Sequence, residues 1–170
     1  KILRPNIRTE FFRDLELFFW FAEWLEFANP KLRRLRLREV IKTIHDNVNI
    51  ELDLRLEGAA ADELARNFKG DPNFYVPNVY WANTTQNVMT TEWLTGIPID
   101  DRHAIIAAGF KPEGILKKLA KVSFEQVFRD GFFHADVHPG NMFILESGAI
   151  GVVDFGIMGR LDFNTRRYLG

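Results

Sequence analysis

The chain has 170 residues, 46% hydrophobic and 26% charged, which is the balance of one globular domain with its own core. Lys and Arg total 22 against 23 Asp and Glu, a formal net charge of -1, so no bulk basic field points to nucleic acid as a partner. The absence of cysteine excludes disulfides, thiolate zinc sites and cysteine nucleophiles, and it fits a reducing compartment.

The first residues, Lys1-Ile2-Leu3-Arg4-Pro5, carry no initiator Met and no export signal, and the chain reads as cut at this end. From Ile7 to Ala28, Phe11, Leu15, Phe18, Phe19, Phe21, Ala22 and Leu25 recur at helical spacing. The charges Arg13, Asp14, Glu16, Glu23 and Glu26 argue against a membrane span. This Phe- and Trp-rich stripe reads as core packing, with a membrane or partner groove as the alternative. After Asn29-Pro30, a helix is predicted over Lys31 to Asn47, with a basic face of Lys31, Arg33, Arg34, Arg36 and Arg38. That face reads as solvated, with anionic lipid as the alternative.

Glu51 to Phe68 is the clearest predicted helix, closed by Gly70-Asp71-Pro72. Tyr75 to Trp81 and Asn87 to Leu94, separated by the polar run 83–86, read as an antiparallel hairpin. Helices are expected around Asp101 to Ala108 and Pro112 to Asp130. Strands are expected at Met142 to Leu145 and Ala149 to Val153, on either side of Glu146-Ser147-Gly148. The last residues, Arg166 to Gly170, read as the opening of a helix and so as a second cut.

The densest chemistry lies in His134-Ala135-Asp136-Val137-His138-Pro139-Gly140-Asn141, followed past a strand pair by Asp154-Phe155-Gly156. Phosphoryl transfer needs metal ions bridging the phosphates and a carboxylate that orients the nucleophile. Asn141 and Asp154, at the two ends of the hairpin, can converge on a hard cation such as Mg²⁺, with Asp136 at the mouth of the same site. A metal centre of His134, Asp136 and His138 is a competing reading, which Pro139-Gly140 beside the second His disfavours. His134 reads as a structural residue near the loop, and the role of His138 is left open. Upstream, Lys1 at the end of a strand and Glu57 in a helix are the residue types that position nucleotide phosphates in kinases. Backbone groups around Glu92-Trp93-Leu94, before Gly96, form the natural hinge for a nucleotide base.

These motifs resemble the UbiB family, also called AarF-domain kinases: atypical members of the protein-kinase-like superfamily tied to ubiquinone biosynthesis. The resemblance spans essentially the whole chain. It rests on Glu51-Leu52-Asp53 with Glu57-Gly58-Ala59-Ala60, on the loop from His134 to Asn141, and on Asp154-Phe155-Gly156-Ile157-Met158-Gly159-Arg160-Leu161. It implies an α+β, protein-kinase-like bilobal fold, cut at both ends. Residues 1–95 would be a small-lobe part with inserted helices, and 96–170 the start of the large lobe. By the same match, ATP is bound by Lys1, Glu51, Asp53 and Glu57, the metal Mg²⁺ by Asn141 and Asp154, and Asp136 is catalytic; Glu92 and Leu94, placed by their position at the hinge, complete the expected ATP-binding set. The family's Lys-x-Gly-Gln signature and Ala-rich nucleotide loop would precede Lys1, so these residues alone should turn over ATP weakly or not at all. The implied setting of the full-length protein is the cytoplasmic side of a bacterial inner membrane, with quinone-precursor lipids and ubiquinone-biosynthesis proteins as partners. Ala135 stands where ordinary protein kinases carry Arg, which turns the reading away from a conventional protein kinase. An aminoglycoside- or choline-kinase type of small-molecule phosphotransferase and a catalytically silent nucleotide-binding scaffold are the alternatives.

Overall fold

The computed structural model describes residues 1–29 and 34–169. It is a mixed helix and sheet structure, as expected, and its chain divides into two units: residues 1–56 with 83–89, and residues 57–82 with 90–170.

In the first unit, α1 (Ile7–Ala28) coincides with the predicted span, because its apolar spacing is unbroken until Asn29. The second helix, α2 (Leu37–Glu51), starts later and ends later than expected. Arg36 adopts a left-handed φ of 49° just before it. At its other end half-buried Val48, two turns beyond half-buried Ile41, continues the apolar face past Asn47. Pro30, Lys31 and Arg33 lie outside the described residues, whereas Arg34, Arg36 and Arg38 are exposed. Arg38 pairs with Glu23 at 3.1 Å, and Phe12 meets the His45 ring at 4.9 Å, so α1 and α2 lie side by side. The expectation that the aromatic stripe is core is corrected. Of α1 only Leu15 and Ala22 are buried, while Phe18, Trp20, Trp24 and Phe27 are 52–80% exposed. At 100° per residue, Trp20, Trp24 and Phe27 fall opposite Leu15 and Ala22, and a single neighbouring helix cannot cover both sides. The N-terminal residues form a short antiparallel pairing: Met89 N–H donates to the Lys1 carbonyl at 2.9 Å and Leu3 N–H to the Asn87 carbonyl at 3.0 Å.

The third helix, α3 (Leu54–Asn67), begins three residues after the predicted start. Glu51 is instead the last residue of α2, and Asp53 caps α3 by accepting the Arg55 N–H at 3.1 Å. From Glu57 onward α3 belongs to the second unit. There, β1 (Phe74–Tyr75), β2 (Ile97–Pro98), β4 (Met142–Ile144) and β5 (Ile150–Val152) form a sheet in the order β1-β5-β4-β2, and β3 (Phe132–His134) pairs with β6 (Met158–Arg160) in another. The predicted β4–β5 hairpin is present, antiparallel, with Met142 opposite Val152.

The other predicted hairpin is only partly formed. Val79 bridges Thr91 in antiparallel fashion, but Tyr75 runs parallel to β5 and Trp81–Asn83 curls into a 3-10 turn. Pro77, which has no N–H to donate, separates the two pairings. Helix α4 (Arg102–Ala107) is capped by Asp101, which accepts the Ala104 N–H at 2.9 Å. Helix α5 (Pro112–Phe124) has proline in its first turn and continues as a π-helical segment, Glu125–Asp130, stopped by Gly131 at φ 64°. Helix α6 (Phe163–Leu169) follows β6. Leu64, Phe74, Val122, Met142, Ile150 and Phe155 lie at the centre of the apolar core of this unit.

Candidate functional site

The β4–β5 hairpin carries Asn141 and Asp154 at its open end. Past the Met142–Val152 pair, Val153 N–H donates to the Asn141 carbonyl at 3.1 Å, which sets Asn141 beside the residue preceding Asp154. Asn141 is reached through the 3-10 turn Pro139–Asn141. His138 Nδ1 accepts the Gly140 N–H at 3.1 Å and so caps this turn, which gives that histidine a structural task. The Asp154 carboxylate accepts the Gly156 N–H at 3.0 Å, folding the Asp-Phe-Gly segment on itself.

Phe155 is 1% exposed, and its N–H donates to Glu57 Oε1 at 3.4 Å. Glu57 is a carboxylate only 8% exposed, on a helix whose inward residues Ala61 and Leu64 are fully buried. A buried carboxylate is costly unless hydrogen-bonded, and the Phe155 N–H is one donor that Glu57 meets there.

His134, at the end of β3, joins the two aspartates. Its Nε2 donates to the Asp154 carbonyl, and its Nδ1 accepts the Asp136 N–H at 3.2 Å. A carbonyl can only accept and an amide N–H can only donate, so this pair of bonds assigns the neutral Nε2–H tautomer. The ring is thereby occupied at both nitrogens. Among the described residues no group of three or more His, Cys, Asp or Glu side chains converges as a metal centre. Asp136 itself is exposed, and Ala135 N–H donates to the Ile157 carbonyl at 3.0 Å.

Glu92 is held by its side chain: Oε2 accepts the Tyr75 hydroxyl at 2.7 Å, the Asn78 N–H at 3.2 Å and Asn78 Nδ2 at 2.9 Å. The Tyr75 hydroxyl is the main reason the Glu92 carboxyl stays below the usual carboxylate range, and Glu92 in turn raises the Tyr75 phenol. Leu94 packs against β5, where a Cβ on Gly151 would lie 3.0 Å from its Cδ1. The second unit thus holds Asp136, Asn141, Asp154 and Glu57, with Glu92 and Leu94 on the segment that leads into β2.

Lys1, Glu51 and Asp53 belong to the first unit. Lys1 lies on the paired N-terminal segment, and Glu51 is exposed at the end of α2. Asp53 is forked by Arg55, with Nε at 2.9 Å from Oδ1 and Nη2 at 2.6 Å from Oδ2, and the Arg55 hydrogen bond holds its carboxyl below the ordinary range. The Tyr75–Asn78 clasp on Glu92 was not foreseen and is not marked by residue spacing, whereas His134 takes the structural role expected of it, bonded to backbone beside the loop.

A buried helix glutamate against an Asp-Phe-Gly segment, next to a His-x-Asp loop, defines the kinase-like class of fold. Over residues 1–170 the sequence matches the ABC1 atypical kinase-like domain, and the chain belongs to that family. It is similar to proteins described as probable protein kinase UbiB. One, from Xanthomonas campestris pv. campestris (strain B100), is 39% identical, over 99% of this chain and 31% of the relative. Another, from Pasteurella multocida (strain Pm70), is 40% identical over 99% of this chain and 33% of its own length. The chain thus spans about a third of the length of these relatives. It also resembles a solved structure described as the complex of Rv3197 with erythromycin from Mycobacterium tuberculosis, with 32% identity and a TM-score of 0.58 over 73% of this chain and 31% of that one. Among the described residues no helix is long and apolar enough to cross a membrane.

Proposed function

We propose that this chain is part of an Mg-dependent, ATP-binding atypical kinase or ATPase that supports ubiquinone biosynthesis. The observation that carries the reading is the pairing of Val153 N–H with the Asn141 carbonyl at 3.1 Å, which sets an amide oxygen donor and the Asp154 carboxylate at one end of a rigid hairpin. Such hard oxygen donors suit Mg²⁺, which is bound through one or two protein ligands together with substrate phosphates and water. The fit is therefore good: Asn141 and Asp154 would hold the ion, and the ion would supply charge neutralisation at the phosphates.

Asp136, exposed and oriented through His134, accepts the proton of the attacking group or positions it. Lys1 serves the phosphates, with Glu51 and Asp53 as further carboxylates on the nucleotide side. Glu57 holds the backbone of the Asp-Phe-Gly segment. The backbone from Glu92 to Leu94 meets the adenine, kept in place by the Tyr75 and Asn78 bonds to the Glu92 side chain. Residues 1–95 form the small-lobe part and 96–170 open the large lobe. The link to ubiquinone is supported by the name UbiB that the relatives carry; the full-length protein then works at the cytoplasmic face of a bacterial inner membrane, with quinone-precursor lipids and biosynthetic proteins as partners.

Replacing Asp154→Asn in the full-length protein is expected to lower Mg-ATP turnover on the order of 10²–10³-fold, with weaker nucleotide binding measured by calorimetry. Unchanged affinity and turnover would overturn the ligand assignment.

A further inference from the structure

We propose that Gln126 is a positioning residue of the His134–Asn141 loop, acting on Asp136 and Asp154 through His134. The kinetic part of this inference rests on the nucleotide reading above; its structural part does not.

Gln126 is only 5% exposed, in the π-helical continuation of α5, one turn beyond Val122, which is 1% exposed. An amide buried among apolar side chains costs about 1–3 kcal/mol if unpaired, and an aliphatic residue would fill the same space without that cost. Its partner explains it. Among the described residues strand β3 pairs with β6 alone, so the other edge of this three-residue strand meets no described strand. Gln126 Oε1 accepts the His134 N–H at 2.9 Å on that open edge, in a fully buried bond.

His134 is thus fixed from two sides, by register with Met158 on β6 and by Gln126 on the other edge. Only with the backbone so fixed does the ring reach the Asp154 carbonyl and the Asp136 N–H together. The widened turn from Glu125 to Asp130, closed by Gly131 N–H on the Gln126 carbonyl, anchors the glutamine itself. Both aspartates are bonded to the residue that Gln126 holds.

The test has a structural and a kinetic arm. In the wild-type chain, His134 should show a slowly exchanging amide and the ¹⁵N imidazole pattern of the Nε2–H tautomer. Gln126→Leu should convert that pattern to a mixture of tautomers. In the full-length protein it should lower kcat for ATP turnover roughly 10–100-fold, with KM for ATP within about twofold of wild type. Gln126→Glu, whose carboxylate oxygen can still accept the N–H, should retain the tautomer and most of kcat. A folded Gln126→Leu protein with unchanged kcat and unchanged tautomer overturns the proposal. So does a wild-type His134 amide that exchanges like an exposed loop, a result that holds even where the leucine variant fails to fold. Full-length wild-type protein without any ATP turnover would overturn the nucleotide reading instead, and the tautomer and exchange measurements would still decide the role of Gln126.

Discussion

Helix α1 and the run of α5 with its π-helical continuation both carry apolar stripes, yet they put opposite kinds of residue in unusual places. On α1, Trp20, Trp24 and Phe27 face outward. In the π-helical continuation of α5, a glutamine faces inward. Apolar period thus establishes that a helix forms but not which side is covered, because coverage depends on neighbours distant in sequence. The inward polar residue is the more informative of the two, since it needs a partner and the partner lies at the site.

The contrast can be broken in graded steps. Phe155→Ala should cost about 3–5 kcal/mol of stability, read by urea unfolding, if the Asp-Phe-Gly phenylalanine is core as its 1% exposure indicates. A loss near zero would show that the second unit does not pack around this segment. Gly96→Ala comes next. Its Cβ would lie 2.8 Å from the Ile144 carbonyl oxygen, a backbone atom that cannot swing aside, so about 1–3 kcal/mol should be lost as the segment before β2 moves off β4.

Tyr75→Phe should cost about 1 kcal/mol at neutral pH by removing one donor from Glu92. The pH dependence has a definite sign. The Glu92 carboxyl is lowered by folding, so its contribution is present above the unfolded carboxylate range and is lost as pH falls through the lower folded value. The Tyr75 phenol is raised by folding, so its contribution is present below the unfolded phenol range and fades as pH rises through the folded value. The gap between wild type and Tyr75→Phe should therefore narrow at both extremes, and a gap constant with pH would dismiss the clasp. Smallest of all, Trp20→Ser on the exposed side of α1 should change thermal stability by no more than about 0.5 kcal/mol. A large loss would mean that this face is covered in solution.

Much of the second unit was legible from local signals. The turn Glu146-Ser147-Gly148 between two β-rich runs announced the β4–β5 hairpin, and Asp101 and Pro112 marked helix starts that the structure places within one residue. The candidate site was legible as a set of residues because its acids and amide sit in short motifs. What holds them was not. The bonds from Glu57 to Phe155 and from Tyr75 to Glu92 join residues 98 and 17 positions apart, and no local pattern encodes such pairs. The start of α3 was misplaced because Glu51-Leu52-Asp53 continues the helical charge pattern, while Asp53 in fact turns its carboxylate onto Arg55 to begin a new helix.

The two ladders that flank Asp154 limit what this segment can do. Val153 is bonded to Asn141 on one side, and Ile157 receives the Ala135 N–H at the threshold of the β3–β6 pairing on the other. The residues between are pegged at both ends like a short bridge on two piers. Inverting Asp154 and Phe155 would withdraw from the core a phenylalanine that is 1% exposed.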